Sequence, residues 1–198
     1  MNKFFELTKP RITFFILMST AVGFIFGSRI GHPWTWFELA HTLLGTFLIA
    51  SGTAALNQWY EREGDGLMRR TMARPIPSGR VSANSALVFG TTIATAGFIE
   101  LCAGVNLLAG FLALFTLASY LFVYTPLKRM SPISTTIGAI PGAMPPLIGY
   151  AASSGLLNYE AGILFAILFV WQFPHFYAIA WMYREDYARA GIRMLPVV

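Results

Sequence analysis

The sequence predicts an all-α fold, a polytopic helical bundle that spans a membrane six times. Three observations carry that expectation. Only 12% of the residues are charged, against about a quarter in a soluble domain, and the mean hydropathy is +0.58. Six apolar runs reach spanning length, at about 11–28, 37–57, 84–103, 105–125, 133–153 and 160–182. The runs are continuous rather than alternating, so each satisfies its backbone in lipid as a helix and not as a barrel strand.

The first run opens like a signal peptide, with basic residues before an apolar stretch. Glu6, Pro10 and the lack of a small-x-small cleavage site point instead to a first membrane helix that stays in place. The second run ends in the most charged stretch of the chain, residues 57–75, which holds three acids and four arginines. Runs three and four are separated only by "CAGVN", which implies a tight antiparallel hairpin. The fifth contains "GAIPGAMPP" and predicts a broken or kinked helix, tolerated where neighbours or a cavity satisfy the freed backbone groups. The sixth carries "FPHF" and closes on a second acidic cluster. No soluble domain or long linker is visible, so residues 1–198 read as one transmembrane domain.

Lys and Arg fix the expected orientation. Of the 14 basic residues, all but Arg29 fall on one side of the predicted spans, which places both termini in the cytoplasm. That asymmetry accounts for the basic pI without nucleic acid. The single cysteine, Cys102, excludes an internal disulfide and a CxxC metal or redox site, and reads as a packing residue.

Topology does not require acids on the same side. Yet five of the nine, Glu61, Glu63, Asp65, Glu185 and Asp186, sit in two clusters at the same ends of spans two and six, as "WYERE" and "MYRED". Residues four apart share a helix face, so Asn57, Glu61 and Asp65 form a ladder of oxygen ligands, with Gly64 and Gly66 marking the helix end. An incomplete oxygen shell suits Mg2+, which keeps waters and takes substrate phosphates. Arg69, Arg70 and Arg74 follow, with the fork geometry that grips phosphate oxygens. Together with apolar surroundings, this chemistry suits a lipid diphosphate whose tail lies in the membrane. The competing explanation is a set of solvated helix ends whose acids and arginines pair in a loop. The spacing N-x3-E-x3-D followed by R-T-x2-R-P weighs against it.

The stretch "NQWYEREGDGLMRRTMARPIPSGRVS" at 57–82 resembles the first signature of the UbiA superfamily of intramembrane prenyltransferases. More narrowly, the chain is similar to the protoheme IX farnesyltransferase (haem O synthase) branch. That resemblance extends through "LTKPRIT" at 7–13, "YTPLKRMSPISTTIGAIPGAMPPLIGYAA" at 124–152 and "WQFPHFYAIAWMYREDYARAGIRMLPVV" at 171–198. It implies a UbiA-like bundle around a cavity in which Mg2+ holds the diphosphate of farnesyl diphosphate, with haem B as acceptor. Asn57, Glu61 and Asp65 match the first metal and diphosphate motif. Arg70 and Arg74 match its basic tail, and Tyr124 and Lys128 the loop after helix four. The second motif falls on Arg184, Glu185, Asp186 and Tyr187, in place of the D-x3-D pair usual in the wider superfamily. Asp186 is the expected metal ligand there, with Glu185 in reserve. Family members usually continue with further helices, so the chain is expected to be a fragment or a truncated form.

The implied reaction moves the farnesyl group to a vinyl of haem B, with water added. Asn57, Glu61, Asp65 and Asp186 would position metal, while Arg70, Arg74, Lys128 and Arg184, with Tyr124, would hold the diphosphate. Trp59, Tyr124, Trp171 and Phe173 are candidates to shield an allylic cation, although most rings in such a chain serve packing or the interfacial belt. His175, beside Pro174, is a candidate haem contact; otherwise it hydrogen-bonds a neighbouring helix. His32 and His41 are assigned no role.

Three competing functions make different demands. A UbiA-type enzyme for an aromatic or chlorophyll-type acceptor would share the diphosphate site, and the long match at 171–191 argues against it. A secondary transporter predicts ionisable residues at the bilayer midplane, where this chain has almost none. A non-catalytic assembly factor leaves both acidic motifs without use. The reading therefore places a prenyltransferase in a bacterial inner membrane, with haem-processing or oxidase-assembly proteins as downstream partners.

Overall fold

A computed structural model describes residues 3–29 and 33–195; His32 lies outside them. Among the described residues the chain is helical. A short α1 (Lys3–Leu7) leads into α2 (Pro10–Gly27), followed by α3 (Trp36–Tyr60), a short α4 (Arg62–Leu67) and α5 (Ala83–Gly104). The next long element joins α6 (Leu107–Ala118), a π-helical segment (Ser119–Tyr124) and α7 (Thr125–Leu127). It is followed by α8 (Ser134–Ser154), α9 (Tyr159–Met182) and a short α10 (Arg184–Arg189).

The ends are set by local chemistry. Thr35 and Glu38 close a capping box on α3, Glu38 N donating to Thr35 Oγ1 at 3.2 Å and Thr35 N to Glu38 Oε2 at 2.9 Å. Ser82 caps α5, Asn158 caps α9, and Gly155, at φ 72°, ends α8 in the left-handed region that glycine enters without a Cβ clash. Asn106, in the tight turn after α5, caps α6 and also donates to the carbonyls of Ala151 and Ala152 at 2.9 and 3.1 Å. One side chain thus fixes the α5–α6 hairpin to the far end of α8.

Among the described residues, five elements are long and apolar enough to cross a membrane: α2, α3, α5, the α6-to-α7 unit and α9. The remaining run that the sequence reads as a span, 133–153, forms α8. It has the length, 21 residues, but is rich in Ser, Thr, Gly and Pro. Most of α8 is buried among its neighbours, so it need not be apolar enough to face lipid. At the other extreme, only 6% of the apolar stretch of α9 is buried, and its long apolar side chains lie on the outside.

Of the broken or kinked helix expected for the fifth span, the break is not found: α8 runs unbroken through Pro141, Pro145 and Pro146. Proline lacks an N–H, so Pro146 leaves the Gly142 carbonyl without its helical donor. Gln172 of α9 supplies one, Nε2 to Gly142 O at 3.1 Å. Packing of α8 on α2 is equally close, since a Cβ at Gly149 would lie 1.9 Å from the Thr20 carbonyl. The irregular helix is instead the fourth, where the π-turn has Thr125 N bonding Tyr120 O, five residues back.

Candidate active site

The ladder of the second span survives the end of its helix. At Glu61 the backbone leaves helical geometry (φ −89°, ψ 6°) before resuming as α4. The i to i+4 bonds nevertheless continue, Glu61 N to Asn57 O at 2.9 Å and Asp65 N to Glu61 O at 2.8 Å. Asn57 and Asp65 are each 1% exposed. Burying such groups is costly unless each is answered by a partner, and three cations answer them.

Lys9 Nζ donates to Asn57 Oδ1 at 3.1 Å, Lys128 Nζ to Glu61 Oε1 at 3.0 Å, and Arg74 Nη1 to Asp65 Oδ2 at 2.6 Å. Asn57 Nδ2 bridges within the ladder to Glu61 Oε2 at 2.8 Å. The cations come from three parts of the chain: the turn before α2, the end of α7 and the loop after α4. The rings of Tyr124 and Tyr120 stand 4.5 and 6.0 Å from Lys128 Nζ, and Phe176 of α9 packs on Tyr124 at 6.1 Å. A recess of about 170 Å³ lined by Tyr60, Glu61, Thr125, Pro126 and Arg129 opens beside the cluster.

The cluster holds its own charges in place. Burial alone would raise the Glu61 carboxyl, but Lys128, Lys9 and Asn57 together hold it below its ordinary 4.5. Burial would also lower the Lys128 ammonium, and Glu61 beside it raises it above the usual lysine value. Lys9 is the exception. Burial, with Arg74 and Lys128 adding like charge, outweighs Glu61 and Asp65 and pushes it down to about 7.

The sequence marks Lys9 only as a topology signal and does not single out Tyr120 or Phe176. In the structure Lys9 is the one non-glycine with positive φ among the described residues, at φ 48° and ψ 60°. That conformation costs about 1–3 kcal/mol and persists only where the surroundings enforce it. The basic residue before Pro10 was the available signal; its partner lies 48 positions away.

Asp186 does not join the ladder. Its Oδ1 accepts from the backbone N–H of Arg69 at 3.2 Å and its Oδ2 from that of Arg70 at 3.1 Å, and it also pairs with Arg189. Burial would raise this carboxyl, but Arg189 and the two amides bring it below its usual 3.8. Met68, Ala180, Tyr187, Ala190, Ile192 and Met194 form an apolar cluster around this junction. Beyond α10 the chain returns to the first site, where Arg193 N donates to Lys128 O at 2.7 Å.

Of the remaining candidates, Arg70 is exposed and lies over the Tyr183 ring at 4.6 Å, and Arg184 lies over Trp181 at 5.3 Å. Glu185 is exposed. Trp59 packs against the apolar cluster around Leu7 and Ala55, with Arg62 over its ring at 5.6 Å. Trp171 and His175 stack on each other at 4.7 Å on the exposed side of α9, and Phe173 packs on Phe169.

Among the described residues, no three His, Cys, Asp or Glu side chains converge to hold a metal. The available donors are one asparagine oxygen and two carboxylates, with cations poised around them. Mg2+ takes one or two carboxylates and completes its shell with water and phosphate oxygens, so this donor set fits Mg2+ arriving with a diphosphate. Asp186 fits that role less well, because both of its oxygens are engaged by main-chain amides.

Comparison with known proteins gives the family. Residues 16–198 match the model of the UbiA prenyltransferase family. A protoheme IX farnesyltransferase from Solibacter usitatus is 63% identical over 205 residues, spanning all of this chain and 70% of the relative. One from Koribacter versatilis is 50% identical, spanning all of this chain and 64% of the relative. The chain thus spans about two thirds of the length of these relatives. The solved structure of a UbiA homolog from Archaeoglobus fulgidus bound to DMAPP and Mg2+ superposes with a TM-score of 0.80 at 20% identity, over 99% of this chain and 69% of that one. The chain belongs to the UbiA prenyltransferase family.

Proposed function

We propose that this chain carries out farnesyl transfer from farnesyl diphosphate to a vinyl group of haem B, giving haem O, at the charged end of an apolar helical bundle. The observation that carries the reading is the facing of Asn57, Glu61 and Asp65 by Lys9, Lys128 and Arg74. The arrangement suits a diphosphate with its metal: the oxygens are ligands and the cations are phosphate partners.

In this reading Asn57, Glu61 and Asp65 hold Mg2+. When bound, Mg2+ neutralises charge on the diphosphate oxygens. Lys9, Lys128 and Arg74 exchange part of their contact with the ladder for the leaving diphosphate, and stabilise the charge it gains as the allylic C–O bond breaks. The electron pair leaves with the diphosphate. The face of Tyr124 shields the allylic carbon, a cation–π contact worth up to about 2 kcal/mol where water is excluded. A vinyl carbon of the acceptor then bonds to the farnesyl C1, and water adds to the neighbouring carbon with loss of a proton. Asp186 contributes by shaping the backbone that carries Arg69 and Arg70 toward the site. The high identity to protoheme IX farnesyltransferases supports haem B as acceptor. The charged end faces the cytoplasm of a bacterium with the bundle in its inner membrane, and the product passes to haem-processing or oxidase-assembly proteins.

The test supplies haem B and farnesyl diphosphate to membranes containing the protein and measures extracted haem masses with and without Mg2+. The expected result is a haem heavier by a hydroxyethylfarnesyl group, formed only with Mg2+. Unmodified haem from well-inserted protein, with prenylation of an aromatic acceptor instead, would overturn the choice of acceptor.

A further inference from the structure

The turn that presents Lys9 is held by a residue that the proposed chemistry does not use. Gln58 follows Asn57 on α3, about 100° further round the helix. While Asn57 faces the carboxylates, Gln58 faces the N-terminal segment. It is 1% exposed, and its Nε2 donates to the carbonyl oxygen of Leu7 at 2.9 Å. The Leu7 side chain is itself fully buried, in a cluster with Ala55, Ile76, Val81 and Ala86. On the outer side Arg80 pairs with both oxygens of Glu6, at 2.7 and 3.0 Å, and donates to the Ala73 carbonyl at 2.6 Å. Two residues beyond the pinned carbonyl, the chain turns left-handed at Lys9 and its ammonium reaches Asn57.

A lysine ammonium on its flexible stem is placed only as well as the backbone that carries it. We propose that Gln58 is a positioning residue for the diphosphate site: by pinning the Leu7 carbonyl it keeps Lys9 turned toward Asn57, and so sets the affinity for a prenyl diphosphate. Neighbouring residues of α3 then serve the same lysine in two ways. Asn57 receives its ammonium and Gln58 fixes its backbone. The inference rests on the reading that this cluster receives a diphosphate.

The experiment measures the Kd of farnesyl diphosphate with Mg2+ and no acceptor, for the parent protein, Gln58→Leu, Lys9→Met and the double variant. Gln58→Leu is expected to weaken binding about tenfold, and the double variant to bind no more weakly than Lys9→Met alone, because residues acting through one contact are not additive. An equal further loss on adding Gln58→Leu to Lys9→Met would overturn the proposal, since a general packing defect acts whether or not Lys9 is present. Should Gln58→Leu fail to insert, Gln58→Asn and the surface variant Arg80→Met loosen the same turn, and each is expected to weaken binding about two- to threefold only when Lys9 is intact. Unchanged affinity in both would equally overturn it. Turnover with haem B is measured separately. Non-additive binding without haem turnover would leave Gln58 in its role and remove the acceptor, whereas normal turnover with additive binding would do the reverse.

Discussion

The acidic cluster at the end of α3 and the one that opens α10 are spelled alike, "WYERE" and "MYRED", and both follow a long helix at the charged end of the bundle. Their partners differ in kind. The first offers its oxygens to side-chain cations from distant segments, Lys9, Lys128 and Arg74. The second spends Asp186 on two main-chain amides and a neighbouring arginine of its own helix. A side-chain ammonium can move over to a phosphate and leave its carboxylate free for a metal. A main-chain amide cannot move without unmaking the loop. On the proposed function the first cluster is an exchangeable site and the second a fixed joint, a division that the similar wording conceals.

Substitutions can break this comparison. The largest effect is expected at Asp65. Asp65→Ala removes a ligand and strands Arg74, and Mg2+-dependent turnover should fall by about three orders of magnitude while the protein still inserts; haem mass analysis on membranes reads it. Comparable activity with and without that carboxylate would remove Asp65 from the site. Lys128→Met removes a proposed phosphate partner and the cation paired with the half-buried Glu61. Turnover is expected to drop about a hundredfold, the scale for removing one group that stabilises charge developing on the leaving group.

Asp186→Asn should cost about tenfold, the range for weakening a charge-assisted hydrogen bond, with the Mg2+ concentration dependence unchanged. A displaced Mg2+ titration curve would show that Asp186 is a metal ligand after all and that the two clusters are alike. The smallest effect belongs to Glu6, whose pairing with Arg80 is at the surface. Glu6→Gln is expected to lower the Tm by at most about 3 °C at neutral pH. Hydrogen bonding to Arg80 holds the Glu6 carboxyl below its ordinary 4.5. The pairing is thus fully present above that value and lost as pH falls through the lower folded value. The melting curves of parent and variant should converge in acid.

How much of the site could be read in the sequence depended on the reach of each interaction. Asn57, Glu61 and Asp65 were legible because a four-residue repeat fixes their common face whatever lies opposite. Arg74 was legible because it follows within nine residues of its partner. Lys9 was not, since its role depends on a left-handed turn and on a side chain 48 residues away. The partners of Asp186 were not legible for a different reason: main-chain amides leave no mark in the residue sequence, so a carboxylate that accepts from them looks like any other.

The same distinction holds for the fold. Continuous apolar runs of spanning length by themselves determined an all-helical membrane bundle, because lipid leaves the backbone no other partner than its own helix. Capping residues Thr35, Ser82, Asn106 and Asn158 determined several helix starts, since each acts within three residues. Only the tertiary structure decided that α8 stays continuous, because the donor that replaces the missing N–H of Pro146 comes from Gln172 on another helix. Only it decided which charges face each other, because Coulombic and hydrogen-bond partners are chosen by distance in space and not along the chain.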